Sequence, residues 1–279
     1  MPILCVTNQK GGCGKTVTAT NLAAGLARRG KKTLIVDLDP QAPVAPSLGV
    51  QPPAGLVPMV DALTKKGRAG ERVLASPTAN LFVLPGDATL DHEALVRVPL
   101  PDTVLQRALQ PLRGRFDFLV LDTPPLLDFV TFNAIMAADW LIVPCDADKE
   151  SLQSLRRTIE VAFTYVEHRP EIDPARFYRV LLTIVDERET VINGWLEAEL
   201  RGLGAPVFGT AIHRATAFKK ARGYGLSIFD YNERHRDSGG AQRGAADFDE
   251  LTEEVMSYVR GANPAEWRRA DHAAARQAG

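Results

Sequence analysis

Cysteine is scarce in this chain: three residues in 279, at positions 5, 13 and 145. That number and spacing exclude a disulfide framework and the common cysteine metal motifs. Cys5 and Cys145 fall in or beside apolar runs, where a thiol packs as a small hydrophobe. Net charge is nearly absent too. The 33 Lys and Arg residues oppose 34 Asp and Glu, leaving a formal charge of −1. So balanced a chain has no global pull toward nucleic acid or an anionic membrane, and any such binding must come from a local patch. No apolar run approaches the roughly 18–20 residues of a membrane span. The chain enters a strand-like segment at once, so no secretory leader is expected and a cytoplasmic location is. It has no internal repeat, and no Pro/Gly/Ser-rich linker divides it.

With 45% hydrophobic residues, the length suffices for one large α/β domain with a substantial core. The expected division is a single domain over residues 1–262 and an alanine- and arginine-rich tail over 263–279.

The most informative stretch is Gln9-Lys10-Gly11-Gly12-Cys13-Gly14-Lys15-Thr16. It follows the apolar run Ile3-Leu4-Cys5-Val6 and leads into a helical pattern, the order of a phosphate-binding loop. Glycines let backbone N–H groups approach an anion closely, and the helix N-terminus adds its positive dipole end. Lys15 is placed to reach β- and γ-phosphates, and Thr16 to offer its hydroxyl to magnesium. The usual pattern G-x-x-x-x-G-K-[ST] requires glycine where Gln9 stands, while Lys10 adds a second lysine that such a loop does not need.

Strands and helices then alternate. Periodicity from Thr16 to Arg28 predicts a helix ending at Gly30. Continuously apolar strands are expected at 33–36, 81–84, 116–121, 140–144 and 179–185, with a short one at 207–210. Helices are expected near 60–65 and over 102–113, 131–138, 149–166, 190–203 and 247–260. Unbroken apolarity in a strand implies burial on both faces. The expected fold class is therefore α/β, a doubly wound, mostly parallel sheet with helices on both faces.

In such sheets ligands sit at the carboxyl ends of strands. Three signals fall there: the loop, Asp37 with Asp39, and Asp122. Thr16, Asp122 and Asp39 are the magnesium candidates, and Asp39 is also suited to orient or deprotonate an attacking water. Asp37 either supports the metal from behind its ligands or caps the strand.

Lys10-Gly11-Gly12-Cys13-Gly14-Lys15-Thr16 resembles the deviant phosphate loop K-G-G-x-G-K-T of the ParA/MinD ATPases. Asp37-Leu38-Asp39-Pro40-Gln41 resembles that family's second motif, and Phe118–Pro125 its magnesium motif. The spacing agrees, the pattern of elements extends to about residue 260, and Ile212-His213-Arg214 points to the ParA branch. The resemblance implies ATP and Mg2+ as cofactors, with Lys10 through Val17 forming the nucleotide cradle. It makes Lys10, Lys15 and Asp39 the catalytic candidates, Lys10 reaching across a dimer to the partner's nucleotide. It further implies a nucleotide-dependent homodimer that binds nucleoid DNA without sequence preference. A ParB-like centromere-binding or adaptor protein would then stimulate hydrolysis, positioning a plasmid, a chromosome or a protein assembly.

Departures from the family pattern are Val17 after the loop threonine, His213 in place of proline in Ile-Pro-Arg, and Ala217 in place of an arginine. For DNA, the informative segment runs from Arg214 to Arg222, where Arg214, Lys219, Lys220 and Arg222 form a basic cluster on an expected short helix. Arg234, Arg236 and Arg243 could extend it. A membrane-surface ATPase of the MinD type is the nearest rival, but the tail offers one Trp among alanines, so no membrane partner is expected. An iron–sulfur relative would need cluster cysteines at the dimer face, a place that Cys5, Cys13 and Cys145 do not fit. A nucleotide-binding regulator with little hydrolysis sits poorly with Lys15, Asp39 and Asp122 together.

Overall fold

The two faces of the sheet are already written into its strands. In Ile3-Leu4-Cys5-Val6, Ile3 and Cys5 pack into one buried cluster, while Leu4 and Val6 pack into another on the opposite side. Residues 119–121 divide the same way: Leu119 and Leu121 on one side, Val120 on the other. An unbroken apolar run thus serves two cores, as alternate side chains of a strand point to opposite faces.

The computed structural model describes residues 1–261 apart from 66, 91, 168, 171 and 236–238. Its strands are β1 (Ile3–Val6), β2 (Thr33–Asp37), β3 (Leu74–Ala75), β4 (Leu81–Leu84), β5 (Phe118–Asp122), β6 (Trp140–Cys145), β7 (Tyr178–Val185) and β8 (Ile212–His213). They form one sheet in the order β3-β4-β2-β5-β1-β6-β7-β8, with β3 antiparallel to β4 and the other pairings parallel. The α-helices are α1 (Lys15–Arg28), α2 (Val44–Ser47), α3 (Met59–Thr64), α4 (His92–Val96), α5 (Val104–Leu109), α6 (Phe129–Ala137), α7 (Lys149–Val166), α8 (Thr190–Gly202), α9 (Thr216–Gly223), α10 (Ile228–Arg234) and α11 (Ala241–Val259). Side chains of α1, α9, α10 and α11 share one core cluster, and those of α5, α6, α7 and α8 the other. The sheet is doubly wound, as expected.

The differences from expectation have local causes. The expected helix over 102–113 is α only from Val104 to Leu109, with 3₁₀ turns at both ends. Pro111 supplies no N–H to continue it. The expected strand at 207–210 shrinks to a single bridge between Val207 and Val180. Past it, the N–H groups of Gly209 and Thr210 donate to the Glu254 carboxylate at 2.8 and 3.0 Å instead of a neighbouring strand. The pairing resumes at β8. Helix α11 begins six residues before the expected Asp247, behind Gly240, whose φ is +81°. Its first turns, Ala241-Gln242-Arg243-Gly244-Ala245-Ala246, carry small residues on either side of two polar ones and no stripe of large apolar side chains. They pack closely: a Cβ on Gly244 would lie 2.8 Å from the Phe218 ring. Arg236 and the tail 263–279 lie outside the described residues.

Candidate active site

Register brings the site together. Val6 pairs with Asp122 across β1 and β5, and Asp37 pairs with Asp122 across β2 and β5. The loop after β1 therefore starts level with two buried carboxylates. Its turn rests on Gly12 (φ +80°) and Gly14 (φ +91°), left-handed conformations that favour glycine. Gly14 precedes α1, and its carbonyl accepts the Thr18 N–H at 2.8 Å.

Within this loop Lys15 is buried, and its ammonium donates to the Lys10 carbonyl at 2.7 Å. The Thr16 hydroxyl donates to Asp122 Oδ2 at 2.8 Å. Asp122 Oδ1 is buried without a hydrogen-bond partner among the described residues. Burial pushes the Asp122 carboxyl well above the usual carboxylate range, and the neighbouring Asp37 charge adds to it. An orphaned buried carboxylate oxygen beside a hydroxyl at the mouth of a phosphate loop is a donor set that suits magnesium.

Asp37 is fully buried, and burial pushes its carboxyl up to about 7 although the Val44 and Asp39 amides oppose this. Those N–H groups donate to it at 2.9 and 3.1 Å. Asp37 thus shapes the turn that carries Asp39, whose own Oδ1 accepts the Gln41 N–H at 2.8 Å. Gly86 closes this corner, since a Cβ there would lie 2.7 Å from the Asp39 carbonyl oxygen.

Lys10 is held by residues that sequence reasoning missed. Its ammonium lies 3.0 Å from Asp146 Oδ2 and 2.9 Å from Asp148 Oδ2. Burial alone would lower the Lys10 pKa, but hydrogen bonds to Asp148 and Asp146 outweigh it and raise the value. Asp146 immediately follows β6 and Asp148 caps α7 just beyond, at a strand carboxyl end, and that position was the available signal. Asn8 was missed as well. It donates to the Pro144 carbonyl at 2.7 Å and accepts from the Lys10 N–H at 3.3 Å. Cys5, Cys13 and Cys145 are all buried, with Cys13 Sγ donating to the Lys10 carbonyl at 3.3 Å.

A cavity of about 320 Å³ opens beside the loop, lined by Gly12, Gly14, Val17, Ile184, Ile212 and Phe218 among others. Arg214, Lys219 and Arg222 are exposed and also line it, while the exposed Lys220 does not. Lys219, Lys220 and Arg222 are therefore on a short helix, α9, as expected, while Arg214 lies between β8 and α9; three of the four border the loop's own cavity. His213 is tied down. Its Nδ1 lies 3.0 Å from Asp247 Oδ2 and its Nε2 2.9 Å from Arg243. Arg243 also pairs with Glu187 at 2.7 Å, so its charge is largely met within the chain.

A family model described as an AAA domain matches residues 1–171. The chromosome-partitioning ATPase Soj of Thermus thermophilus is 34% identical over 261 residues, covering 93% of this chain and 97% of Soj. The chain belongs to the ParA/MinD family of P-loop ATPases. Among solved structures, the ATP complex of a Cyanothece McdA variant superposes with a TM-score of 0.77 at 22% identity, covering 92% of this chain and 96% of McdA. Cobyrinic acid a,c-diamide synthase from Mycobacterium smegmatis, with ADP and magnesium, gives 0.75 at 24% identity, covering 95% and 97%. At those identities the likeness is one of fold. In this ParA/MinD chain the two segments expected to carry the family motifs, Lys10–Thr16 and Phe118–Pro125, meet at the carboxyl ends of the paired strands β1 and β5.

Proposed function

We propose that this chain is an ATP-switched homodimer of the ParA type. It grips nucleoid DNA without sequence preference while ATP is bound. It lets go when a centromere-binding or adaptor protein stimulates hydrolysis. The observation that carries the reading is the 2.8 Å contact between Thr16 and Asp122 at the buried mouth of the loop, with Lys10 brought to the same rim. The likeness to a chromosome-partitioning ATPase supports it.

The residues divide the work as follows. Loop N–H groups and the α1 N-terminus receive the phosphates, and the Lys15 ammonium exchanges the Lys10 carbonyl for phosphate oxygen. Thr16 and Asp122 would hold a magnesium ion, which when bound would supply charge neutralisation for phosphoryl transfer. Asp39 orients the attacking water and takes its proton. Lys10 leaves Asp146 and Asp148 to meet the partner's nucleotide, so full catalysis needs two chains. Arg214, Lys219, Lys220 and Arg222 offer DNA phosphates a basic surface, which supports a cytoplasmic, nucleoid-associated reading of the ATP dimer.

Light scattering and DNA retention measured with ATP, with ADP and without nucleotide test this. ATP alone should give the dimer and the retained DNA. Equal DNA binding in all three conditions would sink the switch.

A further inference from the structure

Strand β7 is separated from β1 by β6, yet it touches the phosphate loop at one polar point. The buried Thr183 hydroxyl donates to the Cys13 carbonyl at 2.9 Å. The strand is irregular just there. Thr183 pairs with Ile212 and Val185 with His213, so two steps along β7 match one step along β8 and Ile184 is the extra residue. Ile184 has φ +58°, a conformation that β-branched residues rarely adopt. Such strain persists where surroundings over-determine it, and bulges beside active sites re-aim a neighbouring side chain.

We infer that Thr183 is a positioning residue for nucleotide binding, acting through the Cys13–Gly14 peptide. No cis peptide bond occurs among the described residues, and in a trans peptide the C=O and N–H point in opposite directions. Holding the Cys13 carbonyl toward β7 turns the Gly14 N–H the other way, toward the phosphate cradle. Gly14 has the freedom of a glycine at φ +91°, so this peptide would otherwise flip easily and present a carbonyl to an anion. On its other side Gly14 is fixed by the bond from Thr18 N–H to its carbonyl. Thr183 therefore supplies the second of two anchors on a residue that needs both. The Ile184 bulge follows Thr183 directly, so the contact sits where β7 departs from its regular register.

The inference rests on the nucleotide reading of the loop, and its test separates the two. Mg-ADP and Mg-ATP affinities of the full chain are measured by calorimetry for wild type, Thr183→Val and Thr183→Ser. Valine keeps the shape and removes the hydroxyl; serine keeps the hydroxyl. Thr183→Val should weaken both nucleotides together by roughly fivefold or more, the worth of one buried hydrogen bond. Both should weaken because the amide faces phosphates that the two share. Thr183→Ser should bind within about twofold of wild type, a rescue that a packing role would not give. Valine binding as tightly as wild type, or serine binding as weakly as valine, would overturn the inference while leaving the nucleotide reading intact. A wild type that binds neither nucleotide would overturn that reading, and the inference with it.

Discussion

Lys10 and Asp146 lie 136 residues apart in sequence, yet their charged atoms are 3.0 Å apart, with Asp148 completing the clamp from the exposed side. In a single chain the second lysine of the loop is thus engaged at home. The proposed dimer requires it to leave, and the two carboxylates set the cost of departure. Partly exposed ion pairs of this kind contribute about 0.2–1 kcal/mol each.

Replacing both acids should therefore ease dimerisation. Asp146→Asn with Asp148→Asn is expected to lower the ATP concentration for half-maximal dimer formation by about two- to tenfold. Lys10→Ala should abolish dimer-dependent ATPase while leaving monomer binding of Mg-ADP intact. Sedimentation across an ATP series reads the first and a phosphate-release assay the second. Normal hydrolysis by Lys10→Ala would remove the cross-dimer role.

Asp39 is predicted to act on water and not on binding. Its carboxylate is anchored by the Gln41 N–H and lies outside the Thr16–Asp122 pair. Asp39→Ala should lower the hydrolysis rate by about 10²–10⁴, the usual worth of a positioned base. ATP affinity should hold, and an ATP dimer should accumulate. A variant that hydrolysed at the wild-type rate, or failed to bind ATP, would argue against the assignment.

These residues differ in how far the sequence revealed them. β1, β2, β5, β6 and β7 were legible because strands buried on both faces are continuous apolar runs. The loop was legible because its chemistry is local. The clamp on Lys10 was not, since nothing near Lys10 points to residues after β6; only the sheet order brings them together. Helix α11 shows the other limit. Residues 241–246 carry no apolar period, and their packing depends on Phe218 meeting Gly244, a tertiary contact that replaces a local signal. Glu254 ended an expected strand from 44 residues away.

Helices α1 and α11 approach so closely at Gly25 that a Cβ there would lie 2.2 Å from Thr252 Oγ1 and 3.2 Å from its Cβ. Alanine favours a helix over glycine by nearly 1 kcal/mol, but overpacking in a filled core costs about 1–3 kcal/mol. Gly25→Ala should therefore destabilise the protein. Thr252→Ala should suppress part of that loss, giving a coupling energy of at least about 0.5 kcal/mol in a denaturation cycle. Additive losses would show that the helices stand further apart.

The raised Asp37 carboxyl carries a pH prediction for protein free of nucleotide and metal. Its folded value of about 7 lies above the usual value near 3.8. Between those limits the folded chain holds a proton that the unfolded chain lacks, so stability falls as pH rises from about 4 through about 7. One such proton gives a slope of about 1.4 kcal/mol per pH unit. Thermal melts in EDTA from pH 5 to 8 should show melting temperature decreasing upward. Asp37→Asn should reduce the slope, with Asp122, also raised by burial, retaining the remainder. Stability that rose over pH 5–7 would contradict the assignment.

The basic residues of α9 can be separated by where they face. Lys220 lies off the nucleotide-side cavity, whereas Arg222 lines it. Each phosphate contact contributes about 0.9 to the slope of log K against log salt on duplex DNA. Lys220→Ala should reduce the magnitude of that slope by about one contact's worth while leaving Mg-ATP affinity unchanged. Arg222→Ala should weaken both DNA and nucleotide binding. Fluorescence anisotropy with unrelated duplexes of equal length, titrated at several salt concentrations, reads the slope and its indifference to sequence. If Lys220→Ala left the slope intact and weakened ATP instead, α9 would belong to the nucleotide site alone, and the DNA surface would have to lie elsewhere on the chain.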